Sequence, residues 1–228
     1  MGGAIGDLIP YALGIAVSPI AIIAIILMLL SNRGRANSAS FLAGWLAGVV
    51  GACVVLLAIA GRVGTGSRGA SSDTVSVVKV ILGAFLVLLA VRSFRGRPKP
   101  GEPVVLPKWL QAIDSLTPGK SALAGMLSPL GGGLNPTNLL LIAGAMVTLS
   151  HDHLPVGGDA VAVLVFALIG ASTIAAPVAV YGAAGTKAQP LLDTTKAWLS
   201  QNNAVVTAAL LLVIGAVLIG EGVGGSSA

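Results

Sequence analysis

The stretch Pro129-Leu-Gly-Gly-Gly-Leu-Asn-Pro-Thr-Asn138 interrupts an apolar run that otherwise extends from Ser121 to Leu149. Three adjacent glycines do not carry a helix forward, because glycine loses more conformational freedom on ordering than any other residue. Asparagine is a strong N-cap, and proline suits the first helical position, where its missing N–H would have had no helical partner. Asn135-Pro136-Thr137-Asn138 therefore predicts a helix that starts within the apolar run, after non-helical backbone at Gly131, Gly132 and Gly133. At about 1.5 Å per residue the whole run is also too long for one straight crossing of a hydrocarbon core of about 30 Å.

The rest of the chain has the composition of a membrane protein. Of 228 residues, 55% are hydrophobic and 9% charged, with a mean hydropathy of +0.96. A soluble domain carries about 25% charged residues, so too few are present here to coat a wet surface. Disordered chains are polar and charge-rich, which excludes that class. Cys53 is the single cysteine, excluding a disulfide framework and a cysteine metal site. Six stretches are long and apolar enough to cross a bilayer, at 8–30, 40–61, 75–94, 121–149, 159–183 and 204–221. The first has no basic leader and too long an apolar run for a cleaved signal peptide. The expected fold is an all-α polytopic membrane protein.

Charge sets the expected orientation. Arg33 and Arg35, then Arg92, Arg95, Arg97, Lys99, Lys108 and Lys120, then Lys187 and Lys196 fall in alternate connections. The opposite side holds Arg62 and Arg68 beside Asp152 and Asp159, and the acidic ends Asp7 and Glu221. The positive-inside rule then puts both termini outside the plasma membrane and the linker 95–120 in the cytoplasm. The formal charge of +5 is read as orientation and contact with anionic lipid, and nucleic acid is not an expected partner. The linker holds five prolines and a short amphipathic stretch around Lys108 and Trp109. Two readings stand: a semi-rigid connector, or a basic patch of Arg92, Arg95, Arg97 and Lys99 that holds anionic lipid or a partner.

The linker divides the chain into three-helix halves, 1–94 and 121–228. Ser18-Pro19 interrupts the first span as Asn135-Pro136 interrupts the fourth, and Ile81-Leu-Gly-Ala-Phe-Leu86 echoes Val213-Ile-Gly-Ala-Val-Leu218. An odd number of spans per half inverts the second copy, giving a 3+3 inverted repeat of six transmembrane helices with interrupted first and fourth members. Non-helical backbone at membrane depth must be buried by protein or line a wet cavity. Helix N-termini offer free N–H groups and partial positive charge, which favour an anion. Ser18, Pro19, Gly131, Gly132, Gly133, Asn135, Pro136, Thr137 and Asn138 are thus the expected substrate cradle. The plainer alternative is two packing kinks.

Lys79, about one turn inside the third span, either snorkels to the interface or serves as counter-charge to an acidic substrate. Gly44-Trp-Leu-Ala-Gly48 predicts close helix packing, and Cys53 a small apolar filler. His151-Asp-His153 is read as solvated loop, since a metal site needs further ligands. No Asp, Glu or His falls mid-span, which disfavours a proton relay. No His is placed to activate a Ser or Cys nucleophile, so neither catalysis nor a cofactor is expected. Glycine-rich faces permit a homodimer.

These features resemble the lysine exporter superfamily of small transporters. Ser18-Pro19-Ile20, Met28-Leu-Leu-Ser31, Asn32-Arg-Gly-Arg-Ala-Asn37, Phe41-Leu-Ala-Gly-Trp45 and Asn135-Pro136-Thr137-Asn138-Leu139-Leu140 are similar to its actinobacterial Gap/Sap group, the glycopeptidolipid- and sulfolipid-addressing proteins. That resemblance implies export of complex envelope lipids across the inner membrane, often beside a large lipid transporter. The superfamily's thiol-disulfide carriers need a cysteine pair, which Cys53 alone does not make. Three functions stay open: export of an anionic envelope lipid or glycolipid, export of a small amino acid-type solute, and a scaffold for lipid-export or lipid-synthesis machinery.

Overall fold

The computed structural model describes residues 2–65, 72–98, 110, 112–131, 137–150, 154 and 157–225. The described residues are helical, joined by turns. In chain order the helices are α1 (Gly2–Ala16), α2 (Pro19–Leu29), α3 (Gly34–Thr65), α4 (Ser72–Arg95), α5 (Pro118–Leu127), α6 (Thr137–Leu149), α7 (Gly158–Ala184) and α8 (Gln189–Gly225). Single 3₁₀ turns at Ile113–Ser115 and Gly185–Ala188 precede α5 and α8.

Among the described residues three helical stretches are long and apolar enough to cross a membrane: Gly34–Ile59, Ser76–Arg95 and Gly158–Gly224. The pair α1 and α2, bent by 53°, makes a fourth if counted as one span, and Thr137–Leu149 is a shorter apolar helix. Gly158–Gly224 covers 67 residues, about 100 Å at the helical rise, so it exceeds one crossing. The turn at Gly185, with φ of +57°, divides it. The expected span at 204–221 lies within a longer helix. α8 begins at Gln189, and its first turns carry polar side chains, with Lys196 pairing with Asp193 at 2.7 Å.

α2 is apolar all round and forms the centre, with Ile22, Ile23, Ile25, Ile26 and Met28 buried. A helix without a polar face has no reason to lie at a wet surface. The outer faces of α3, α4 and α7 leave Val54, Val55, Ile81, Phe85, Leu88, Leu164 and Leu168 exposed. So large an apolar surface requires an apolar surround.

Close backbone contacts fix the packing. A Cβ on Gly44, Gly48 or Gly125 would strike the backbone of Ala122, Met126 or Phe41 respectively. α3 and α5 therefore run side by side in the same direction, and the Gly44–Gly48 motif is a packing seam as expected. α4 and α8 run antiparallel: Lys79 meets Glu221, Gly83 meets Gly215, and Ser93 Oγ donates to the Ala204 carbonyl at 3.0 Å.

The last part of the linker is docked. Leu110 and Ile113 are buried in the core, and Asn37 Nδ2 donates to the Leu116 carbonyl at 3.0 Å. At this end of 95–120 apolar residues on the amphipathic stretch are drawn into the bundle. Lys108 and Trp109 lie outside the described residues.

Candidate functional site

The first break forms as its sequence dictates. α1 stops at Ala16, and Ser18 is extended, at φ −102° and ψ 93°. A proline disfavours helical backbone at the residue before it. Helical bonding resumes where Ile22 N–H donates to the Ser18 carbonyl at 3.1 Å. The carbonyl of Ala16, freed by the break, accepts from Ser18 N–H at 2.9 Å and from the Thr173 hydroxyl of α7. Thr173 thus satisfies the irregular backbone from a neighbouring helix, which an apolar setting demands.

In the second half α5 ends at Leu127, and the chain turns through Ser128 to Gly131. Gly131 has φ of +88°, a backbone conformation that side-chain-bearing residues rarely adopt. Gly132, Gly133, Asn135 and Pro136 lie outside the described residues. Helix resumes with α6 at Thr137.

The two breaks meet. Asn138 Nδ2 donates to Ser18 Oγ at 3.3 Å, so the first turn of α6 is bonded to the cap position of α2. Ser18 makes no side-chain cap bond to its own helix. Ser18, Pro19, Thr137 and Asn138 line a cleft of about 20 Å³ together with Gly14, Leu141 and Thr207. That volume suffices for about one water molecule. α1 and α6 are further joined by Tyr11 and Thr148, whose hydroxyl oxygens lie 3.3 Å apart.

Thr207 and Thr173 were not singled out from the sequence. The signal was present in both cases: a hydroxyl within an apolar helix must find a partner, which for Thr173 lies across a helix interface and for Thr207 on its own helix. Thr207 Oγ1 lies 3.5 Å from Asn203 Oδ1 one turn earlier.

Lys79 is not among the residues lining this cleft. Its Nζ lies 2.9 Å from Glu221 Oε2, with both side chains partly buried. The carboxylate that answers its charge is therefore the chain's own. Arg92 and Arg95 are exposed at the end of α4. Arg97 folds back over the Phe94 ring, 4.0 Å from its centroid, and donates to the Phe94 carbonyl at 3.0 Å. Lys99 and the His151-Asp-His153 segment lie outside the described residues.

Neither a curated protein nor a solved structure matches the chain. The family described as "Sap, sulfolipid-1-addressing protein" matches residues 8–224. The chain belongs to that family.

Proposed function

We propose that this protein is an inner-membrane transporter, or transport subunit, that exports an anionic cell-envelope lipid or glycolipid. The observation that carries the reading is the bond from Asn138 to Ser18, which brings together the starts of two helices in an apolar bundle. Paired helix N-termini favour a negatively charged head group. Membership of a sulfolipid-addressing family supports a lipid as cargo.

The packing supports six spans in two inverted halves. Exchanging α1–α4 for α5–α8 maps the α3–α5 contact onto α7–α1, α3–α6 onto α7–α2, and α2–α8 onto α6–α4, all of which occur, whereas α1–α6, α1–α8 and α2–α3 have no comparable counterpart among the described residues. The pairs α4–α8 and α3–α7 map onto themselves. The directions agree as well: α4 and α8 are antiparallel, as third members of oppositely oriented halves must be. The termini are then outside and the linker, with Arg92, Arg95 and Arg97 at its start, is cytoplasmic, where basic residues concentrate.

In this conformation the cleft is too small for a head group. Transport therefore requires the two halves to rock about the junction, exposing it to one side and then the other. The test is a strain lacking the protein, complemented with the wild type or with Ser18→Ala, Asn138→Ala or the double variant at matched protein levels. Lipidomics of the outer envelope should show cargo lost in the double variant and retained inside. Full export by a normally abundant double variant overturns the reading. Export that survives these changes but fails when 95–107 is deleted points to a scaffold.

A further inference from the structure

On the side of the bundle, α3 and α7 leave an apolar groove of about 580 Å³, within the range of sites that hold organic ligands. Val50, Val54 and Leu57 line one wall, Val163 and Leu164 the other, and among the described residues that line it Asp159 is the one with a charged side chain. The α3 wall belongs to the membrane-spanning stretch Gly34–Ile59. Further along the same helix pair, the Trp45 ring reaches Gly170 and closes the seam. Where the groove lies, Ala58 and Ala160 do not fill the space between the helices.

Two features identify an occupant. Walls this apolar do not retain water, which needs two to four polar partners, whereas the surrounding bilayer supplies hydrocarbon. Asp159 sits in the first turn of α7, at the groove's end. Its charge repels a bare phosphate or sulfate and attracts an ammonium. We infer that the α3–α7 groove is a binding site for a lipid with a primary ammonium head group, one acyl chain lying along Val54 and Leu164 and the ammonium donating to Asp159. α3 and α7 come from opposite halves, so this lipid wedges the seam across which the halves must move. That role rests on the transport reading; the site itself does not.

The experiment uses the full chain in detergent, with native mass spectrometry after exposure to lipids of identical chains. Phosphatidylethanolamine should be retained roughly fivefold or more over phosphatidylcholine and a glucosyl diacylglycerol, the scale expected of one charge-assisted hydrogen bond. Asp159→Asn should remove that preference, and Val54→Trp should lower retention of all three. Because Val54→Trp risks misfolding, the wild type is also photolabelled with phosphatidylethanolamine carrying a diazirine in its acyl chain. Adducts between 50 and 58 or between 159 and 164 support the site; adducts confined elsewhere overturn it. Equal retention of the three lipids, a preference for the sugar head group, or an unchanged preference in Asp159→Asn also overturns it. Aminolipid retention by an Asn138→Ala protein that no longer exports supports the site independently of the transport reading.

Discussion

Gly83 and Gly215 face each other across α4 and α8 so closely that each occupies the space of the other's missing side chain. A Cβ on Gly83 would lie 2.7 Å from the Gly215 carbonyl oxygen, and one on Gly215 would lie 2.8 Å from that of Gly83. Both are the third residue of the similar segments Ile81–Leu86 and Val213–Leu218, so these two segments touch where their sequences agree.

Either glycine should therefore resist enlargement. Gly83→Val forces two backbones apart and should destabilise the protein by about 1–3 kcal/mol, the usual cost of overpacking. Gly220, whose Cβ would meet nothing within 4 Å, provides the control, with Gly220→Val close to neutral. Thermal unfolding in detergent, followed by circular dichroism, separates them. Equal melting temperatures would refute the close contact.

Gly44 offers a sharper version of the same test. An added methyl would run into the Ala122 backbone, while Gly51 on the same helix has open space beside it. Gly44→Ala should lower the yield of folded protein in membranes, and Gly51→Ala should not. Size-exclusion profiles of the two variants give the comparison.

The ion pair of Lys79 with Glu221 ties α4 to α8 near one end of the bundle. A double-mutant cycle with Lys79→Met and Glu221→Gln should return a coupling of about 1 kcal/mol, the upper end for pairs still reached by solvent. The exchange Lys79→Glu with Glu221→Lys should recover most of the stability lost by either single reversal. Zero coupling would mean that the pair contributes nothing to holding the helices.

Thr173 supports the break in the first span through the Ala16 carbonyl. Thr173→Val keeps the shape and removes the hydroxyl, and should cost about 1 kcal/mol by leaving a broken-helix carbonyl short of a donor. Ser172, whose hydroxyl bonds within its own helix to Ile169, is the neighbour to compare: Ser172→Ala should melt close to wild type.

Asn138→Asp places a charge where the cargo's head group is proposed to sit. Asn138 is buried, so desolvating a carboxylate there costs stability that the start of α6 offsets by only about 0.3–1 kcal/mol, and export is therefore compared at matched amounts of folded protein. An anionic cargo meeting that carboxylate is repelled, so envelope-lipid export should fall sharply. Undiminished export with Asp at this position would remove the anion from the reading.

Much of this architecture was legible in short signals of local backbone chemistry. Ser18-Pro19 and the glycine run before Asn135 announced where helices stop and restart, because proline and glycine act on their own residues. Gly44 and Gly48 announced a seam for the same reason. What the sequence concealed depends on partners far along the chain. Nothing near Lys79 says that Glu221, 142 residues on, will meet it. Thr173 gains its role only when α7 lies beside the broken end of α1. The docking of Leu110 and Ile113 was hidden in a proline-rich segment that reads as a spacer. The early start of α8 was missed because polar residues such as Lys196 and Asp193 fall outside an apolar window yet continue a helix readily.

The narrowness of the cleft beside Ser18 decides what can enter it. About 20 Å³ admits about one water. Any larger group reaches the Ser18 hydroxyl and the Asn138 amide only after the helices that carry them draw apart.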